Sequence, residues 1–167
     1  MRDFHMLESL LAQRHSCRAF LNRPVERALV ERVVETAQKV PSWCNSQPWQ
    51  LIVLSHAETN RLRDRFEAAD VVTPNPDVTF PERYIGAYKT RRSECGWQLY
   101  DAVGVKKGDR VASAQQMMEN FRFFGAPHVA FVTSPVALGA YGILDCGAFV
   151  TGFMSVSYTH LTLPTKA

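Results

Sequence analysis

The apolar positions of this chain switch between helical and strand-like spacing several times. In residues 4–13, Leu7, Leu10 and Leu11 share one helical face. Val25, Leu29, Val30, Val33, Val34 and Ala37 repeat at the spacing of a second amphipathic helix, with Pro24 at its first turn and Pro41 stopping it. The run Leu51-Ile52-Val53-Leu54 is apolar on both sides, which predicts a buried strand. Ser55 and Glu58 have capping-box spacing for a helix to about Ala69. Residues 70–81, with Pro74, Pro76 and Pro81, read as a loop, and residues 82–99 as an irregular helix containing Gly86 and Gly96. Residues 109–124 predict an amphipathic helix burying Val111, Met117, Met118, Phe121 and Phe124, broken by Gly125-Ala126-Pro127. Residues 128–133 predict a second strand, and residues 141–154 a helix apolar nearly all round.

Strands separated by helices place the chain in the α+β or α/β class. A helix that is apolar on every side needs cover on every side, and for a small domain a second copy of the chain supplies it, so a homodimer is expected. The length of 167 residues fits one domain, and 46% hydrophobic with 21% charged residues fits an ordinary globular one. A net charge of +3, with basic residues scattered apart from Lys89-Thr90-Arg91-Arg92 and Lys106-Lys107, argues against a nucleic-acid partner. Cys17, Cys44, Cys95 and Cys146 are far apart, without a C-x-x-C pair or a histidine at ligand spacing, so no metal site is expected. Asp3 and Glu8 interrupt any secretory signal, and no run of 18 apolar residues is present, so a soluble cytoplasmic protein without membrane contact is expected.

Residues 155–167 change character, being rich in serine and threonine and free of acidic residues. "VSYTHLTLPTKA" resembles the conceptual translation of a sequencing-adapter fragment. The expected division is a domain at residues 1–154 and a non-native tail at residues 155–167, with the natural protein continuing past about Met154; the alternative is a genuine flexible terminus.

Two segments carry candidate chemistry. In Arg14-His15-Ser16-Cys17-Arg18, an extended backbone would point positions 14, 16 and 18 to one side, converging two permanently charged guanidiniums and a hydroxyl as a phosphate site needs. The plainer alternative is that both arginines sit in the negative field of a helix C-terminus or in surface ion pairs. In "VPSWCNSQPWQLIVL", residues 40–54, Asn45 and Gln47 offer donors and acceptors suited to the edge of a heteroaromatic ring, with Trp43 and Trp49 as apolar wall. The alternative there is that the tryptophans are core and the amides cap the connection. No G-x-G-x-x-G follows a strand, so a Rossmann-type nucleotide domain is not expected. His5, His56 and Cys95 are too scattered to indicate a Cys/His hydrolase.

"RHSCRAF", "VPSWCNSQPWQ" and "FFGAPHVAFV" followed by "YGILDCGAFVTGFM" together resemble the nitroreductase family of flavin enzymes, over nearly all of residues 6–154. The resemblance implies an α+β fold, a three-layer α/β/α sandwich with an antiparallel-type mixed sheet, here incomplete at the C-terminus, that dimerises with FMN at the subunit interface. It implies that Arg14, Ser16 and Arg18, with the backbone of His15, hold the FMN phosphate and ribityl chain. Pro41, Ser42, Asn45 and Gln47 would lie along the isoalloxazine, some reaching the partner's flavin. Asp145 and Gly147 match the family's D-x-G helix, a structural feature. The implied reaction passes hydride from NADH or NADPH through FMN to a small nitroaromatic or quinone-like acceptor, with no side-chain nucleophile. Residues 71–99, with Phe80, Tyr84, Tyr88 and Trp97, would be the variable lid. The alternatives are a catalytically silent flavin-binding module, a non-functional fragment of such an enzyme, or a relative that dehalogenates or cleaves flavin.

Overall fold

The computed structural model describes residues 2–69 and 75–160. Its helices are α1 (Arg2–Gln13), α2 (Arg27–Ala37), α3 (His56–Ala68), α4 (Gly86–Ala102), α5 (Arg110–Met118) and α6 (Gly139–His160), and its strands are β1 (Gln50–Val53) and β2 (Ala130–Thr133). The strands pair antiparallel, Gln50 opposite Thr133 and Val53 opposite Ala130, and the Leu54 N–H extends the ladder to the Val129 carbonyl at 2.8 Å. This is an α+β fold, and the mixed sheet implied by the resemblance is represented among the described residues by these two strands.

The chain divides into two compact units. The larger joins the residues up to Arg63 with those from Phe123 onward, and the smaller is Asp64–Arg122. In the larger unit α2 lies mainly against α6, whose Phe149 is buried with Val33 and Ala37 of α2. A Cβ built on Gly152 would collide with Val40 Cγ1, so glycine is what lets α6 approach the chain at the end of α2 this closely. In the smaller unit, Asp109 caps α5 by accepting the Ala112 N–H at 2.9 Å. Arg122 there pairs with Glu67 and Glu119, both of which raise the guanidinium's pKa.

Several expectations are corrected. Helix α2 begins at Arg27, so Pro24 precedes it instead of occupying its first turn; the Val25 N–H is taken by the His128 ring. Strand β1 is not buried: Ile52 and Val53 are exposed, as is Phe131 opposite, because two strands alone leave much of the sheet uncovered. Helix α5 stops at Met118, where the Asn120 and Phe121 N–H groups turn to the Met117 and Met118 carbonyls, left-handed backbone follows at Phe123 and Phe124, and Val111, Met117, Met118 and Phe121 are exposed. Helix α4 begins at Gly86, later than expected. Of the predicted loop, residues 70–74 lie outside the described residues. Helix α6 runs through the compositional change at Ser155 to His160, and residues 161–167 of the tail lie outside the described residues. By length and composition alone, residues 136–158 around α6 would suffice to cross a membrane, with a mean hydropathy of 1.5 in an 18-residue window, although Asp145 interrupts the apolar run.

Candidate functional site

The chain between α2 and β1 folds into a tight turn held from α6. Trp43–Asn45 form a single 3₁₀ turn, closed by the Asn45 N–H on the Ser42 carbonyl and the Ser46 N–H on the Trp43 carbonyl. Cys44, Asn45 and Gln47 have φ of 51°, 56° and 44°, a left-handed backbone that L-residues adopt only when their surroundings hold them there. The holding group is Asp145, 4% exposed, whose two oxygens lie 3.0 and 3.2 Å from the Trp43 N–H and whose Oδ2 also accepts the Ser46 hydroxyl. Tyr141, one helical turn before Asp145, stacks on the Trp43 indole at 4.9 Å between centroids. Half-buried Trp49 stacks on the buried Phe149 at 5.2 Å, while Trp43 stays 57% exposed. Trp49 thus packs against the core from a half-buried position, and Trp43 lies at the surface.

Within the turn, the Ser42 hydroxyl accepts the Gln47 N–H at 3.0 Å, and the Asn45 side-chain carbonyl accepts the Gln47 side-chain NH₂ at 2.8 Å. Asn45 and Gln47 are exposed, and their mutual bond leaves the Asn45 NH₂ and the Gln47 carbonyl for a ligand. Pro41 is exposed just before the turn, and Ser42 is half-buried because its hydroxyl serves the turn itself.

The segment after α1 is less regular than an extended strand. The Arg14 N–H still reaches the Leu10 carbonyl, so Arg14 closes α1, and Arg18 curls back toward the Ser16 carbonyl at 3.4 Å. His15 donates through Nδ1 to the Gln13 carbonyl, which leaves Nε2 to accept the Cys17 thiol at 3.6 Å. Among the described residues neither Arg14 nor Arg18 pairs with a carboxylate. The surface-ion-pair alternative therefore finds no partner here.

The larger unit has a cavity of about 610 Å³ against α2 and β1, lined by Val30, Val34, Leu51 and His128 among others, and another of about 450 Å³ that reaches His15, Cys17 and Phe20. Of these two cavities the second takes in His15 and Cys17 of the segment after α1, and neither is lined by Arg14, Ser16, Arg18, Asn45 or Gln47. Two supporting residues escape the spacing rules. His128 joins Val25 to Leu54, and Asp145, read from the sequence as structural, anchors the turn; their partners lie 74 to 103 positions away, beyond any local pattern. Beside Asp145, burial pushes the Cys146 thiol pKa up and the Asp145 charge adds to the shift, with a Ser134 hydrogen bond acting the other way. In the smaller unit Phe80, Tyr84, Tyr88 and Trp97 are exposed, with Arg92 over the Tyr84 ring and Lys107 over Trp97. Among the described residues no cluster of metal-ligating side chains occurs.

The sequence model of the Nitroreductase family matches residues 11–159. Nitroreductase NfnB of Mycolicibacterium smegmatis is 31% identical over 156 residues, which are 92% of this chain and 66% of that protein. The 4-nitrobenzoate reductase of Pseudomonas putida is 30% identical over 148 residues, 88% of this chain and 65% of the relative. The chain thus spans just under two thirds of the length of these curated relatives. Among solved structures, the FMN and NADPH-dependent nitroreductase NfnB from Sphigopyxis sp. strain HMH superposes with a TM-score of 0.83 at 31% identity, over 92% of this chain and 70% of that one. The M. smegmatis NfnB complex with NADPH gives a TM-score of 0.78 at 29% identity, with the same coverage.

Proposed function

Because this chain belongs to the Nitroreductase family, we propose that it is the flavin-holding part of an FMN-dependent oxidoreductase that uses NADH or NADPH to reduce small nitroaromatic acceptors. Quinone-like acceptors belong to the same reading, since they too accept hydride equivalents through a flat conjugated ring. The observation that carries it is the Asp145-anchored turn, which presents the Asn45 and Gln47 amides at the surface beside an exposed indole.

The residues present fit FMN. A phosphate needs donors that stay charged, and Arg14 and Arg18 flank Ser16 without carboxylate partners among the described residues. A planar ring with alternating donors and acceptors needs amides, and Asn45 and Gln47 each keep a polar group for it. When bound, FMN supplies the hydride chemistry at its ring, and the protein supplies binding, orientation and electrostatics. Arg14, Ser16 and Arg18, with the His15 backbone, bind the phosphate and ribityl chain. Pro41, Ser42, Asn45 and Gln47 line the ring edge and orient it.

Neither of the two cavities described above joins the candidate segments, and the site we propose is completed by a second copy. Helix α6 leaves Tyr141, Ile143, Leu144 and Met154 exposed, and that apolar surface is the dimer face we propose. Its buried Asp145, bonded to backbone and hydroxyl groups of the same protein, favours protein cover over lipid for this helix; the location we propose for the whole is cytoplasmic.

The test is absorbance of the purified chain titrated with FMN, followed by anaerobic NADPH. Bound yellow flavin that bleaches is the expected result. A chain that stays colourless at saturating FMN overturns the proposal for this chain.

A further inference from the structure

We propose that Asp145 is a positioning residue for the flavin site: it sets the shape of the turn at residues 42–47 and thereby the direction of the Asn45 and Gln47 amides. The functional consequence rests on the FMN reading above; the positioning itself rests on the hydrogen bonds of the turn.

The carboxylate spans the turn from one end to the other. It accepts the Trp43 N–H where the 3₁₀ turn begins and the Ser46 hydroxyl just after it ends. Between those two points lie Cys44 and Asn45, and directly beyond them Gln47, all with left-handed backbone. Only Asn among these adopts that conformation with any ease, so without an anchor the turn would relax to right-handed or extended backbone. Relaxation would break the Gln47 bonds to Ser42 and Asn45 and re-aim both amides. Tyr141 strengthens the hold: it lies on the same face of α6 as Asp145, at i−4, and stacks on the indole whose backbone Asp145 binds. Trp43 is therefore fixed to α6 by both its ring and its backbone.

Geometry, more than charge, is what this role requires. An asparagine at 145 keeps one carbonyl oxygen for the Trp43 N–H, and its NH₂ can face the Ser46 hydroxyl, which rotates to accept. An alanine removes the acceptor that the Trp43 N–H and the Ser46 hydroxyl share. Asp145→Asn should thus rescue what Asp145→Ala loses, a pattern that a role in long-range charge would not produce, while loosening confined to the Trp43 amide separates the anchor from general packing.

The experiment combines two readouts on the full chain. Labelling tryptophan with ¹⁵N gives three backbone amides, those of Trp43, Trp49 and Trp97, whose hydrogen exchange is followed by NMR. FMN titration is run alongside on the same proteins. In Asp145→Ala the Trp43 amide is expected to exchange about 10-fold faster or more, with Trp97 unchanged, and FMN affinity to fall about 10-fold or more, as for loss of a hydrogen bond to a charged group. Asp145→Asn is expected to lose clearly less than Asp145→Ala on both readouts, since a neutral hydrogen bond replaces the charged one instead of none. Unchanged Trp43 exchange in Asp145→Ala overturns the inference, and so does an Asp145→Asn variant as impaired as Asp145→Ala. If Asp145→Ala loses its far-ultraviolet helical signal, Ser46→Ala replaces it, with faster Trp43 exchange expected and unchanged exchange again overturning. If the parent chain binds no FMN, the FMN reading falls, and Trp43 exchange across the variants decides the inference by itself.

Discussion

His128 receives the backbone N–H of Val25 on its Nε2 at 3.0 Å, although 103 positions separate the two residues. That N–H can only donate, so Nε2 carries no proton and Nδ1 donates to the Leu54 carbonyl, also at 3.0 Å. One neutral imidazole thus ties the lead-in to α2 to the end of β1 and the approach to β2. His128→Leu preserves bulk but leaves a half-buried donor and a half-buried acceptor without this partner. Unfolding by urea is expected to show a loss of about 1–3 kcal/mol with an unchanged m-value. A loss below about 0.5 kcal/mol would show that solvent satisfies both groups.

The contact of Gly152 with Val40 supports a second prediction. A β-branched side chain has few rotamers into which to retreat, so Gly152→Ala forces α6 away from the end of α2. Overpacking of this kind costs about 1–3 kcal/mol. Val40→Ala removes the obstructing methyl groups, and the double variant is expected to recover most of what Gly152→Ala alone loses. A double-mutant cycle on thermal unfolding measures that coupling, and additive effects would place the strain elsewhere.

The parts of the fold that were legible in the sequence are those decided by neighbours along the chain. Leu7, Leu10 and Leu11 mark α1, and the Ser55 hydroxyl accepts the Glu58 N–H at 3.2 Å as the capping-box spacing requires. The misread boundaries are those decided by distant groups. Pro24 is a sound helix-start signal, but the Val25 N–H is claimed by His128, and the helix begins beyond it. Residues up to Phe124 keep helical spacing, yet left-handed backbone at Phe123 and Phe124 ends the regular structure earlier. Apolar runs also predict burial without saying by what, and β1 keeps its apolar residues exposed in a single copy. At the candidate site, Asn45 and Gln47 were visible as residue types, whereas the carboxylate that shapes their turn lies 99 positions or more from the groups it binds.

Thiol reactivity offers a third prediction. Burial raises the Cys146 pKa, and the neighbouring Asp145 carboxylate raises it further, so Cys146 stays protonated at a pH where an exposed thiol already ionises. Cys44 and Cys95 are exposed. Iodoacetamide at about pH 8 is expected to label Cys44 and Cys95 well before Cys146, with labelling of Cys146 rising only at more alkaline pH. Removing the charge with Asp145→Asn lowers the Cys146 pKa and moves its onset toward lower pH. Peptide mass spectrometry over a pH series measures the order, and equal rates at all three sites would mean that α6 opens readily around Cys146.

The phosphate-holding role of Arg18 is testable through the difference between arginine and lysine. Arg18 lies in a segment without regular structure, and its own contact, a long 3.4 Å approach to the Ser16 carbonyl, is weak enough for a ligand to displace. A guanidinium meets a phosphate with two parallel donors, whereas an ammonium meets it as a point charge. Arg18→Ala is expected to weaken FMN binding about 10- to 150-fold, from roughly 1.5–3 kcal/mol per hydrogen bond to a charged group. Arg18→Lys should fall between that variant and the parent chain. Riboflavin lacks the phosphate, so its affinity is expected to change little in either variant. FMN and riboflavin titrations of all three proteins therefore separate a phosphate contact from a general disturbance of the loop: equal losses for both ligands would remove Arg18 from the phosphate site, and no loss for either would remove it from the flavin site altogether.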